Sequence, residues 1–143
     1  MDGDVESMGS TTKLEIVTPE AVVYSEDVDM VTLPCVEGQL GILPHHIRLM
    51  TQMVPGEMII RKAGQVEFMA VGEGLVEVTS SSVSIVTNMA IAADKIDKAA
   101  VEEARQRALA RLQEKVSSEE VASVNASLAR SLAQLKVKRR HRR

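Results

Sequence analysis

The sequence predicts an α+β fold: an N-terminal antiparallel β-sandwich, a flattened barrel of short strands, followed by a C-terminal two-helix antiparallel hairpin. Three observations lead there. All eight glycines and all four prolines stand at or before Gly74, and none follows. Apolar residues alternate with polar ones before Asn88 and recur every three or four residues after it, the periods of half-buried strands and of amphipathic helices. Turn signals in the first half are closely spaced, which favours antiparallel neighbours because parallel strands need long crossovers.

Met1–Thr12 has no apolar core and carries Asp2, Asp4 and Glu6, so it reads as neither a secretory signal nor a transit peptide and is expected to be a disordered leader. Residues 13–90 are expected to form the sandwich. Leu14 and Ile16 alternate with Lys13 and Glu15, and Val66 and Phe68 with Gln65 and Glu67. Val76 and Val78 flank Glu77, and Val83 and Ile85 flank Ser84. Thr18-Pro19-Glu20, Pro55-Gly56, Ala63-Gly64-Gln65, Gly72-Glu73-Gly74 and Thr79–Ser82 supply the turns. About eight to ten strands fit this spacing. With Tyr24 and Phe68 the only aromatics, the core must be built from Val, Ile, Leu and Met.

Between the strand-like run Asp27–Leu33 and the apolar run Ile47–Val54 stands Gly38–His46, where two glycines and Pro44 bracket Leu40, Ile42 and Leu43. Glycine permits backbone angles that other residues resist and proline fixes its own, so a shaped, apolar-faced turn is expected. Loops held in one shape by a rigid scaffold often carry function.

Residues 91–137 carry helix grammar. Asp94 is expected to cap the first helix, with Asp97 in its positive first turn. Ile96, Ala100, Ala104, Ala108 and Leu112 recur every four residues as one apolar face. Ser117 and Glu120 fit a capping box that restarts the pattern. Val121, Val124, Leu128, Leu132 and Leu135 then form the stripe of the second helix, beside a small-residue stripe of Ala122, Ala126, Ala129 and Ala133. Small side chains let helices approach closely but bury little area, so the hairpin is expected to be held weakly.

Charge is unevenly spread. Lys136–Arg143 holds six of the 17 Lys and Arg, leaving 11 bases against 20 acids, a net of −9, in the rest. Residues 138–143 therefore read as a basic tail on an acidic body, either a solvated end or an electrostatic hook.

Several function classes are excluded. No apolar run approaches the roughly 18 residues of a membrane span. A single Cys35 cannot form an internal disulfide, and its place at a strand end reads as a buried thiol. His45 and His46 are adjacent on the chain, where side chains diverge, so no metal pair is expected. There is no glycine-rich phosphate loop, no Gly-x-Ser-x-Gly and no Cys-x-x-Cys, and no cofactor is expected. The chain does not read as an enzyme.

The order of these features resembles the epsilon-subunit family of the rotary F-type ATP synthase, the counterpart of the mitochondrial delta subunit. The resemblance covers Lys13–Val137. Its most specific stretch is Glu37-Gly38-Gln39-Leu40-Gly41-Ile42-Leu43-Pro44-His45-His46, supported by Pro55-Gly56, Gly72-x-Gly74 and Ile96-Asp97. It implies a non-catalytic rotor subunit whose sandwich clamps the gamma subunit and rests on the membrane c-ring, coupling proton flow to ATP synthesis from the cytoplasmic face of a bacterial inner membrane. Gln39, Leu40, Ile42, Leu43 and His46 would be the ring contacts. Family members often carry an acid where Gln39 stands, so apolar area would replace a charge pair there.

The resemblance further implies that the hairpin inhibits ATP hydrolysis by extending into the catalytic head of alpha and beta subunits, with Arg105, Arg107, Arg111 and Lys115 meeting an acidic segment on a beta subunit. Some relatives bind ATP through an Ile/Leu-Asp-x-x-Arg-Ala signature. Here Ile96 and Asp97 match and Arg107 and Arg130 fit later basic positions, but Ala100 and Val101 replace Arg-Ala and Gln134 replaces a further arginine, so weak or no ATP sensing is expected. A second reading keeps the chain as a free-standing binding module using its basic tail on nucleic acid or an acidic partner. No aromatic-rich basic surface accompanies the tail, which disfavours nucleic acid.

Overall fold

The structure, a computed structural model, describes residues 10–114 and 117–141. Residues 1–9 of the expected leader lie outside this description, whereas Thr12 is already a buried strand residue.

Ten strands form one sheet: β1 (Thr12–Val17), β2 (Val22–Val28), β3 (Met30–Cys35), β4 (Gly38–Ile42), β5 (Leu49–Met53), β6 (Gly56–Lys62), β7 (Gln65–Val71), β8 (Gly74–Val78), β9 (Ser82–Thr87) and β10 (Ala90–Ala92). Their order is β10-β7-β6-β3-β5-β8-β9-β1-β2, with β4 beside β3. The sheet curls until β2 returns to β6, where Glu26 pairs with Lys62 and the Asp29 N–H donates to the Arg61 carbonyl at 2.8 Å.

The closely spaced turns fall where expected. Thr18 and Ala21 close β1–β2, and the Thr79 hydroxyl helps close β8–β9. Ala63 (φ 54°) and Gly64 (φ 79°) both take positive φ between β6 and β7, the geometry of a type I′ hairpin.

One pairing departs from the antiparallel expectation: β1 runs parallel to β9. The chain between them is most of the sandwich, so that crossover leaves no local turn signal. Inside the curl, Leu14, Ile16, Val28, Val31, Leu33, Ile42, Met53, Met58, Ile60, Met69, Val71, Val76, Val78, Val83 and Ile85 form the core, aliphatic and Met-rich as composition required. Each such burial contributes roughly 1.5–3 kcal/mol.

β7 breaks the simple alternation. Met69 and Val71 face the core, while Phe68 and Ala70 face outward and are covered by the hairpin. Val66, expected to share a buried face with Phe68, is exposed.

After a 3-10 turn (Ala93–Lys95) come α1 (Lys98–Leu112) and α2 (Ser118–Arg140). Asp97, not Asp94, is the N-cap of α1, its carboxylate accepting from the Ala100 N–H at 3.1 Å; Asp94 lies in the 3-10 turn. The capping box of Ser117 and Glu120 opens α2.

The helix faces follow most of the expected positions, with Ile96 buried and Val121, Val124, Leu128 and Leu135 half-buried, but each helix departs in one place. On α1, Ala100 is exposed and Val101 is buried, followed by half-buried Ala104, Ala108 and Leu112. A strict four-residue repeat drifts around a 3.6-residue helix, so a real contact stripe mixes threes and fours. On α2, Leu132 is 52% exposed, while Ser131, Ala133 and Val137 are buried, because this helix meets both α1 and the sandwich.

The hairpin closes a second, smaller core of Ala70, Ala93, Ile96, Val101 and Val137, with Phe68, Met89, Ile91 and Leu135 partly buried against it. The first core ends at Ile85 and needs no helical residue. Deletion of Asp94–Arg143 is expected to leave a β-rich circular dichroism spectrum and a cooperative melt. The midpoint should fall by about 5 °C because Phe68 and Ala70 are uncovered. Loss of the cooperative melt would show the two cores to be one.

Candidate functional sites

The Gly38–His46 stretch is a strand and a turn rather than a turn alone. Val36 and Glu37 form a two-residue loop, after which Gly38 takes φ 115°, a conformation that favours glycine. β4 then pairs with β3 from Cys35↔Gly38 to Val31↔Ile42. Gly41 is needed for space, since a Cβ there would come within 2.9 Å of Met30 Cε. His45 adopts φ 66°, and its N–H donates to the Ser80 carbonyl at 3.0 Å, pinning the loop to the β8–β9 turn.

This geometry divides the expected contact residues. Ile42 is 0% exposed and belongs to the core, so it cannot offer a docking surface; its assignment is corrected by the inward phase of β4. Leu40 is half-buried, and Leu43 is 56% exposed. Gln39 and Leu40 line a cavity of about 410 Å³ with Cys35, Gly38, Leu49 and Met50. His46 is half-buried, with Nδ1 2.7 Å from the Ile47 carbonyl. Ile47, 81% exposed, and Met50, 70% exposed, add to the exposed apolar side chains beside this loop; both stand in the apolar run Ile47–Val54, where composition alone does not tell a buried side chain from an exposed one. Cys35 is buried, and burial pushes its thiol pKa up, with the Glu37 charge adding to the rise against a Thr51 hydrogen bond that lowers it. The thiol is thus a poor nucleophile.

The hairpin places its cations differently. Arg105 pairs with Glu102 at 3.1 Å, and Arg111 reaches both Glu114 and, across the helix–helix turn, Glu120 at 2.6 Å. Arg107 is exposed, and Lys115 lies outside the described residues. Of the residues considered for ATP, Asp97 is occupied as a helix cap, and Arg130 reaches Glu73 of the sandwich at 3.1 Å. Gly72 permits that reach, since a Cβ there would meet Asn88 Oδ1 at 2.3 Å and Arg130 Cδ at 3.2 Å. Burial alone would raise the Glu73 pKa. Its own backbone N–H, the Asn88 side chain and Arg130 together outweigh this and hold the carboxyl below the ordinary glutamate range.

The basic tail is not a separate segment. α2 continues through Arg140, and its end lies on β6 and β7. Lys138 Nζ donates to the Ala93 carbonyl at 3.4 Å, and Arg140 and His141 converge on Glu57 of β6. Lys138, Arg140 and His141 are thus engaged by the chain itself, Arg139 is exposed, and Arg142 and Arg143 lie outside the described residues. Among the described residues, no group of three or more His, Cys, Asp or Glu could hold a metal ion, and no helix is long and apolar enough to cross a membrane.

Residues 11–93 match the family described as the β-sandwich domain of the ATP synthase delta/epsilon chain, and residues 94–139 match its long α-helix domain. The ATP synthase epsilon chain of Herpetosiphon aurantiacus is 42% identical over 125 residues, spanning 87% of this chain and 92% of the relative. That of Bacillus subtilis is 44% identical over 102 residues, spanning 71% and 77%. Among solved structures, a chain of the Euglena gracilis mitochondrial ATP synthase, resolved with OSCP, F1 and c-ring, shares the fold with TM-score 0.72 at 20% identity, covering 89% of this chain and 80% of that one. A chain of the Tetrahymena thermophila mitochondrial ATP synthase central stalk and c-ring gives TM-score 0.63 at 16% identity, covering 89% and 96%.

Two outcomes follow from the site geometry. Ile42→Asp should destabilise the free chain by more than about 3 kcal/mol, whereas Leu43→Asp should change stability by less than about 0.5 kcal/mol, as read by denaturant melts. The depressed Glu73 carboxyl contributes stability that is fully present above the ordinary glutamate value near pH 4.3 and lost as pH falls through its lowered folded value. Arg130→Gln should therefore flatten the acid limb of the stability profile, and an unchanged limb would contradict the pairing.

Proposed function

The chain belongs to the delta/epsilon family of ATP synthase subunits and is non-catalytic, and from that premise we propose that it is a rotor component with a detachable brake. In this reading the sandwich binds the gamma subunit and stands on the c-ring, helping to couple proton flow to ATP synthesis. The complex would place it peripherally on the cytoplasmic face of a bacterial inner membrane.

The observation that carries the reading is that the main core lies wholly within the span of the β-sandwich family domain, whereas the second core is an interface between that domain and the helices. One part makes a rigid foot and the other can leave it. Exposed Leu43 supports the foot assignment, together with Ile47 and Met50 and with the partly or fully accessible Gln39, Leu40 and His46. A pinned loop presenting such side chains suits a fixed apolar docking surface.

The hairpin is proposed to contact the alpha and beta subunits through Arg105, Arg107, Arg111 and Lys115 when it extends. Exposed ion pairs such as Arg105–Glu102 and Arg111–Glu114 are worth only about 0–1 kcal/mol, so these arginines can exchange partners at small cost. ATP is not proposed as a ligand. Asp97 and Arg130 have partners within the chain, and an exposed Ala100 stands where the sensing signature carries arginine.

Reconstitution tests the reading. The full chain should co-purify with gamma, alpha and beta subunits, and removing Asp94–Arg143 should raise ATP hydrolysis several-fold without loss of binding. Unchanged hydrolysis, in a complex inhibited by other criteria, would remove the brake; failure to recover gamma would remove the stalk assignment.

A further inference from the structure

Glu57 sits on the outer face of β6, opposite Ala70 on β7 and beside the Ile59↔Phe68 pair. Its side chain is only 4% exposed. A carboxylate so placed needs hydrogen-bond donors, because burying an unpaired charge is costly. Two come from the last described residues of the chain. Arg140 Nη1 lies 2.5 Å from Oε1, and His141 Nε2 lies 2.5 Å from Oε2. The His141 ring also stacks on Phe68, with centroids 3.5 Å apart and planes 12° from parallel. The chain's one phenylalanine therefore lies outside the main core, as the seat for this contact.

We infer that Arg140 and His141 form a latch that closes over Glu57 and Phe68 and sets how long the hairpin stays docked on the sandwich. The remaining cover on the helical side is Ile96, Val101, Leu135 and Val137, a short set of side chains, so the polar and aromatic contacts at the helix end add substantially to the docking. Undocking returns Glu57 and His141 to water, which the Arg140 side chain already meets over half its surface. Recovered hydration offsets much of the lost pairing, which makes the latch reversible rather than permanent. Arg130–Glu73 is a second strap further up α2, but both of its side chains are more exposed than that of Glu57. The regulatory consequence rests on the brake reading above, whereas the latch itself does not.

Hydrogen–deuterium exchange of the full chain in solution tests it, reading the α2 amides against the β6–β7 core as an internal control. Glu57→Gln, and separately Arg140→Gln with His141→Gln, should each raise α2 exchange by about tenfold or more, the size expected for one charge-assisted hydrogen bond. Combining the three changes should add little beyond the helix-end variant alone, since that variant already removes both contacts to Glu57 along with the Phe68 stack. Arg139→Gln, an exposed cation on the same turn, should leave exchange unchanged.

Unchanged α2 exchange in both variants, additive effects, or an equal effect of Arg139→Gln would overturn the latch. If Glu57→Gln also loosens the core control, the helix-end variant decides, because it leaves the sandwich intact. Faster α2 exchange with unaltered hydrolysis in the reassembled complex would support the latch and contradict the brake.

Discussion

The second half of strand β7 is apolar on both faces, and much of the molecule's organisation follows from covering it. Met69 and Val71 seal the inside of the curled sheet, while Phe68 and Ala70 present a second apolar surface outside it. Leaving that surface in water is unfavourable in proportion to its area. The hairpin covers it through Val101, Leu135 and Val137, with Ile96 just before the first helix. A detached hairpin leaves the patch to be hydrated or covered by another surface. The proposed brake would require docked and detached states close enough in free energy for a partner to choose between them.

Charge follows the same division. The acidic sandwich and the basic end of α2 are parts of one complementary surface, in which Glu57 and Glu73 meet Arg140, His141 and Arg130. The foot is built on another principle. Its loop is fixed by backbone contacts, Gly38 and His45 taking positive φ and His45 bonding to Ser80, so its exposed apolar side chains are held in place whether or not the hairpin is docked.

The sequence made the strands legible because most of them are covered on one face only, so period-two alternation reports their orientation directly. Ala63-Gly64 and the Ser117–Glu120 box were legible because turn and cap geometry demand those residue types. The parallel β1–β9 pairing was not, since it joins distant segments without a turn. Phe68-Met69-Ala70-Val71 did carry a signal, an unbroken apolar run of the kind found in strands covered on both sides, but reading only the alternation hid it. Ile42 was misjudged because a glycine-flanked apolar residue looks alike in a turn and in a strand entering the core. The end of α2 was misjudged because a run of cations reads as solvated until its buried carboxylate partner, 84 residues earlier at Glu57, is seen.

The central claim is that one chain holds a rigid foot and a hairpin that exchanges between docked and detached positions. The most direct test is the distance between spin labels at exposed sites on α2 and on the β8–β9 face, compared between the free chain and the reassembled complex. A single short distance in the free chain and an additional long population in the inhibited complex is the result expected. One unchanged short distance in both, with hydrolysis still inhibited, would contradict the account.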